Sequence, residues 1–120
     1  MEYSVNKEKQ FSGEIKFRLP DEAQKYEWLR ASADFSIGGK EWNPWLMTQF
    51  IVELKTGDRT VSSGMIRAHR ALSYGKTKRQ YIDLRLPNKP VTEVVIKLWN
   101  ANGQKAMRMQ RVRVEVFRER

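Results

Sequence analysis

Three runs in the last third of the chain alternate with a period of two residues. Ile82, Leu84 and Leu86 alternate with Tyr81, Asp83 and Arg85; Val94, Ile96 and Leu98 with Val95, Lys97 and Trp99; Val112, Val114 and Val116 with Arg111, Arg113 and Glu115. A helix repeats every 3.6 residues and cannot keep such a set on one side, whereas a strand does so automatically. The pattern predicts three strands joined by two turns, each burying its aliphatic side. The opposite side carries Arg85, Lys97, Trp99, Arg111 and Arg113, so it is basic and contains an indole.

Turn signals recur upstream: Pro20-Asp21, Gly38-Gly39, Asn43-Pro44, Gly57-Asp58, Tyr74-Gly75, Pro87-Asn88-Lys89-Pro90 and Asn102-Gly103. Between them Ile15, Phe17 and Leu19 oppose Glu14, Lys16 and Arg18 in a strand-like run from Phe11 to Leu19. Leu29, Ala31, Ala33, Phe35 and Ile37 oppose Trp28, Arg30, Ser32, Asp34 and Ser36; Phe50, Val52 and Leu54 oppose Gln49, Glu53 and Lys55. Thr60 to Leu72 is less regular, with Ile66, Ala68, Arg70 and Leu72 sharing a side, and Ser62-Ser63-Gly64 marks a bulge or bend. Asp21 to Leu29 has an acidic start but is short, and is read as loop or one helical turn. Half-buried antiparallel strands leave a sandwich or a closed barrel. Long, cleanly alternating strands without a sign of barrel closure favour an all-β antiparallel sandwich of about seven to eight strands.

A chain of 120 residues suffices for one domain, 1–120, with a core that needs no staples. It contains no cysteine, which removes disulfides, thiolate metal sites and cysteine nucleophiles. No apolar run is long enough to span a bilayer, and the start, MEYSVNKEKQF, has no signal-peptide core. It passes directly into strand-like residues, as a domain cut from a longer chain would, with Met1 a cloning start. The net charge of +9 favours polyanions, or is simply a solvated basic surface.

Acid–base chemistry finds little support. His69 is the only histidine, between Ala68 and Arg70, with no orienting serine or acid in a recognisable motif. One histidine and scattered acids make no metal-ligand spacing, and Gly75-Lys76-Thr77 lacks the glycines of a phosphate loop. The sequence therefore predicts no enzyme, no cofactor and no metal.

Binding is better represented. Trp42 and Trp45 bracket Asn43-Pro44 in a loop, where they either plug one end of the sandwich or stack on a sugar or base. Trp28 and Trp99 fall on the side away from the core; beside arginine they suit stacking plus anion pairing, or packing against a partner. Arg30, Arg85, Lys97, Arg111 and Arg113 form one basic patch if their strands share a sheet. Divided between two sheets, they are two ordinary solvated faces.

The pattern Tyr26-x-Trp28-x-Arg30-Ala31-Ser32-Ala33-Asp34, followed by Glu41-Trp42-Asn43-Pro44-Trp45, resembles jelly-roll, galactose-binding-like domains related to carbohydrate-binding modules. Ile96-Lys97-Leu98-Trp99-Asn100, a turn, and Met109 to Val114 are similar to their closing hairpin. A similar domain is appended, outside the membrane, to bacterial integral-membrane proteins of the glycosyltransferase type, notably in Bacteroidetes. The resemblance implies a periplasmic or extracellular location and a sugar ligand. Where such domains often carry Asp-Asp, this chain has Gln110-Arg111, which exchanges an acceptor for a cation and argues against a neutral sugar of the usual kind.

Three readings follow. In the first, a non-catalytic accessory domain binds a glycan or glycolipid, including an anionic one. Trp28, Trp99 or the Trp42/Trp45 loop would stack, and Arg30, Lys97, Arg111 and Arg113 would pair with carboxylate or phosphate. In the second, the same groups anchor the domain on its parent protein or a partner. In the third, disfavoured for want of a motif, a basic aromatic sheet binds single-stranded nucleic acid.

Overall fold

The computed structural model describes residues 2–38, 43–68, 76–103 and 105–118. Within them lie eight strands: β1 (Glu2–Val5), β2 (Ile15–Arg18), β3 (Trp28–Ile37), β4 (Gln49–Thr56), β5 (Arg59–Arg67), β6 (Thr77–Arg85), β7 (Glu93–Trp99) and β8 (Met107–Phe117). They form two antiparallel four-stranded sheets, ordered β1-β8-β3-β6 and β2-β7-β4-β5. Apart from the β4–β5 hairpin, consecutive strands alternate between sheets, which is the jelly-roll form of the sandwich. Among the described residues the helical pieces are short 3-10 turns, Asp21–Lys25 and Pro44–Leu46. None is a helix long and apolar enough to cross a membrane.

The core is built by the inward sides of both sheets. Leu29, Ala31, Ala33, Phe35, Met107 and Met109 from one meet Phe50, Val52, Leu54, Ile96 and Leu98 from the other. Phe35 and Phe50 meet edge to face, 5.1 Å between centroids, the arrangement that aromatic quadrupoles favour.

Several strand boundaries differ from the sequence reading. The run from Phe11 to Leu19 shortens to β2, because Gly13 adopts φ +84 and breaks it; Phe11 survives as an isolated bridge to Trp99. The last third is not a pair of hairpins, and β7 and β8 are not a closing hairpin: β7 lies in one sheet, β6 and β8 in the other. Both sheets bury one side, so alternation is the same whichever sheet a strand joins. Val95, on the non-core side, is fully buried between Lys16 and Glu53 in the neighbouring strands. Arg70 and Leu72 lie outside the described residues.

Two local features follow from residue chemistry. Gly57 (φ +59) opens the two-residue β4–β5 turn, where a side chain would be strained. In β8 the register against β3 slips between Ser32 and Asp34, and Arg111 sits at φ +53. This bulge explains why Met107 and Met109 point inward and then Val112, Val114 and Val116 do, with Gln110 and Arg111 consecutively exposed.

Candidate functional site

The sheet order divides the predicted site residues between two outer faces. Trp28 and Arg30 on β3 and Arg111 and Arg113 on β8 share the outer face of the β1-β8-β3-β6 sheet. Lys97 and Trp99 on β7 belong to the other sheet, with Trp45 in the connection leading into β4. Trp42 and His69 lie outside the described residues. Of the five cations expected to make one basic patch, Arg30, Arg85, Arg111 and Arg113 therefore share a face, and Lys97 alone is separated from them.

Cross-strand register sets out the first face in rows. Arg85, Trp28 and Phe117 stand side by side, then Asp83, Arg30 and Glu115, then Tyr81, Ser32 and Arg113. Trp28 and Phe117 stack nearly parallel, 14° between planes and 6.4 Å between centroids. The Arg85 guanidinium lies 5.7 Å from the Trp28 ring centre, with no carboxylate in salt-bridge reach among the described residues. Arg30 donates two hydrogen bonds to the Asp83 carboxylate, 2.7 and 2.9 Å, and lies 4.1 Å over the Tyr81 ring. The hydrogen bond to Asp83 pushes the Arg30 pKa further up, with burial opposing and the Asp83 charge adding to the rise.

One row further on, Asp34 draws two arginines. Arg79 donates to its Oδ1 at 2.9 Å and also to the Ser32 hydroxyl and the Arg111 carbonyl; Arg111 reaches Oδ2 at 3.4 Å. The bulge makes this contact, by turning both the Arg111 carbonyl and its side chain onto the outer face. Across the described part of this face six arginines (30, 79, 85, 108, 111, 113) stand against Glu2, Asp34, Asp83 and Glu115. The face is thus a mosaic of donors and acceptors, not a cationic sheet. Arg30 has five N–H donors and Asp83 occupies two, so pairing leaves it able to bind hydroxyls.

The second face is more apolar. Phe11 stacks on Trp99, with 14° between planes and centroids 6.1 Å apart, and is 55% exposed. Lys97 is committed to Glu53 at 2.8 Å. Trp45 is 78% exposed, so it does not plug the sandwich, and the Arg67 guanidinium lies 5.7 Å from its ring. Gln49 separates Trp99 from Arg67 in the same row. Thus the four cations predicted to meet a ligand's anion have carboxylates in reach, Arg30 and Lys97 closely and the more exposed Arg111 and Arg113 loosely, at 3.4 and 4.0 Å.

Beneath Trp99, Asn100 is fully buried and joins three loops. Its Nδ2 donates to the carbonyls of Asn6 (3.1 Å) and Gly103 (2.8 Å), and its Oδ1 accepts from the Thr48 hydroxyl (2.7 Å). Sequence reasoning had the Trp99-Asn100 step but missed Phe117, Tyr81, Asp83 and Glu115 as site neighbours. Tyr81, Asp83 and Glu115 were legible only as members of the non-core set. Among the described residues no group of three or more His, Cys, Asp or Glu could hold a metal ion.

No family model matches the chain, and no curated protein matches it in sequence. Among solved structures it is similar to "Family 16 Carbohydrate Binding Module-2", with a TM-score of 0.58 at 7% identity over 95% of this chain and 74% of that one. It is also similar to the structure titled "CBM4 structure and function", with a TM-score of 0.50 at 10% identity over 86% of this chain and 59% of that one. At such identities the likeness establishes the fold, an antiparallel β-sandwich.

Proposed function

We propose that the chain is a non-catalytic carbohydrate-binding domain whose ligand lies across the outer face of the β1-β8-β3-β6 sheet. The observation that carries the reading is the aromatic row of Trp28 and Phe117, set between Arg85 and the Arg30–Asp83 pair. A sugar ring presents an apolar C–H face and a rim of hydroxyls. Flat indole and phenyl rings suit the first; guanidinium and carboxylate groups, which together donate and accept, suit the second. Trp28 and Phe117 stack, Arg30 and Asp83 bind hydroxyls, and Arg85, Arg113 and Arg111 favour a ligand bearing a carboxylate, sulfate or phosphate, including a lipid-linked glycan. The titles of the structural neighbours support the same class. Attachment to a membrane-embedded glycosyltransferase belongs to this reading as the setting in which such a domain would present a sugar.

The test is a glycan array at physiological salt with Trp28→Ala and Trp45→Ala beside the unaltered chain. Binding of defined glycans is expected, weakened at least tenfold by Trp28→Ala and retained by Trp45→Ala. Retention by Trp28→Ala with loss by Trp45→Ala would move the site to the other face. No glycan bound, or every polyanion bound and released by salt, would refute the reading.

A second reading has its own observation. Phe11, Trp45 and Met65 are three of the large hydrophobic side chains exposed among the described residues, and all belong to the second face or its rim. That face suits docking on a partner protein, with Trp45 as anchor.

A further inference from the structure

Strand β1 pairs with β8 only from Met107 to Gln110. From Arg111 to Phe117, β8 is paired with β3 on one side, and among the described residues no strand pairs with its other side. On that side the sandwich is incompletely closed: Val112, Val114 and Val116 face inward yet are only partly buried. An open, mainly apolar pocket of about 280 Å³, lined chiefly by Phe17, Leu19, Ala23, Val114 and Val116 and also by Arg18, Glu22 and Tyr26, lies behind the edge. An open strand edge with apolar side chains beneath it is a template for another strand.

The sequence of the edge identifies its complement. Antiparallel pairing with an identical strand, two-fold symmetric at Val114, sets Val112 against the partner's Val116 and Val114 against the partner's Val114. It sets Arg113 against the partner's Glu115, twice by symmetry, and Arg111 against the partner's Phe117. Shifting the centre to Arg113 or Glu115 keeps the faces but places two arginines or two glutamates in opposition. Shifting by one residue puts valines opposite charges. Val114 is thus the centre at which the segment is self-complementary in both rows, as a two-fold interface requires. The charges are available, because Arg113 and Glu115 are 67% and 53% exposed and only 4.0 Å apart within one chain.

The geometry points to a symmetric homodimer formed by β8–β8 pairing through Arg111–Phe117, which joins two four-stranded sheets into one of eight strands. In it the Trp28–Phe117 rows of both copies share one outer face, although the dimer does not depend on that face binding a sugar.

Sedimentation equilibrium of the intact chain, from roughly micromolar to millimolar, measures the association. The unaltered chain passes from 14.2 kDa to twice that mass. Arg113→Glu and Glu115→Arg each turn two attractions into repulsions and weaken dimerisation at least tenfold, while the double exchange R113E/E115R restores it to within about threefold. Both positions are exposed, so the fold tolerates the changes. A monomer throughout would overturn the proposal and leave the edge to a strand from another protein. So would a dimer indifferent to the single changes, or one that the double exchange does not restore.

Discussion

Asn100 offers the sharpest test of what fastens the end of the sandwich opposite the Trp28–Phe117 row. Asn100→Leu keeps the side chain's approximate volume but removes both of its donors and its acceptor. The Thr48 hydroxyl loses its 2.7 Å acceptor, and the carbonyls of Asn6 and Gly103 lose a donor each. These two carbonyls retain the Gln10 amide as a second donor, at 3.1 and 3.4 Å, so they are weakened but not stranded. At about 1–1.5 kcal/mol for each of three buried hydrogen bonds, less up to about 1 kcal/mol regained from an apolar side chain, the expected loss is about 3 kcal/mol. That is a large part of a typical stability of about 5–15 kcal/mol and corresponds to roughly 12 °C in Tm for a domain of this size. Urea unfolding followed by tryptophan fluorescence measures it, with an unchanged m-value as the check that the same surface unfolds. Thr48→Val should cost about 1–2 kcal/mol alone, and the double variant at least about 1 kcal/mol less than the sum, because both partners of one bond are gone together. A loss below about 1 kcal/mol for Asn100→Leu, or additivity within about 0.3 kcal/mol, would refute the view that this amide joins the three loops.

Two further outcomes concern the backbone. Arg111→Gly relieves a left-handed residue that costs about 1–2 kcal/mol and gives up an exposed 3.4 Å pair with Asp34; set against the entropy of glycine, a net gain of about 0.5 kcal/mol is expected in the same unfolding assay. Gly103→Ala would drive a methyl against the Leu46 carbonyl and to 2.8 Å from the Asn100 carbonyl, both backbone atoms that cannot swing aside. A loss of more than about 2 kcal/mol is expected, and melting within a degree or two of the unaltered chain would contradict the packing.

Much of the fold was legible because alternation is a local signal. Leu29 to Ile37, Phe50 to Leu54 and Ile82 to Leu86 showed their buried sides directly, and Gly57-Asp58 marked its turn. The strand Glu2–Val5 and the bulge at Arg111 were not separately legible, the first being too short to show a period. The candidate site depended on what alternation omits, namely which strand lies beside which. Trp28 and Arg30 were visibly outward, but that Phe117 would stack on one and Asp83 clasp the other is fixed by pairings 53 residues or more apart in the chain. For the same reason Lys97 and Trp99 were grouped with Arg111 until the sheet order separated them. Gly64 read as a bulge or bend; the register does slip nearby, between Leu54 and Lys55. The glycine itself sits where an added Cβ would meet the Leu84 side chain at 2.8 Å, at the close approach of two edge strands from opposite sheets.

The strand order also governs how the chain can reach this structure. Only β4 and β5 can pair as soon as they are made, across Gly57-Asp58. β1 must wait for β8, β2 for β7, and β3 for β6 and β8. Because those loops must close before any ladder rewards them, folding should be slow for the chain's size and late on the ribosome. Until Met107–Phe117 has emerged, one edge of β3 remains unpaired, and a nascent chain stalled there is the species a chaperone would meet.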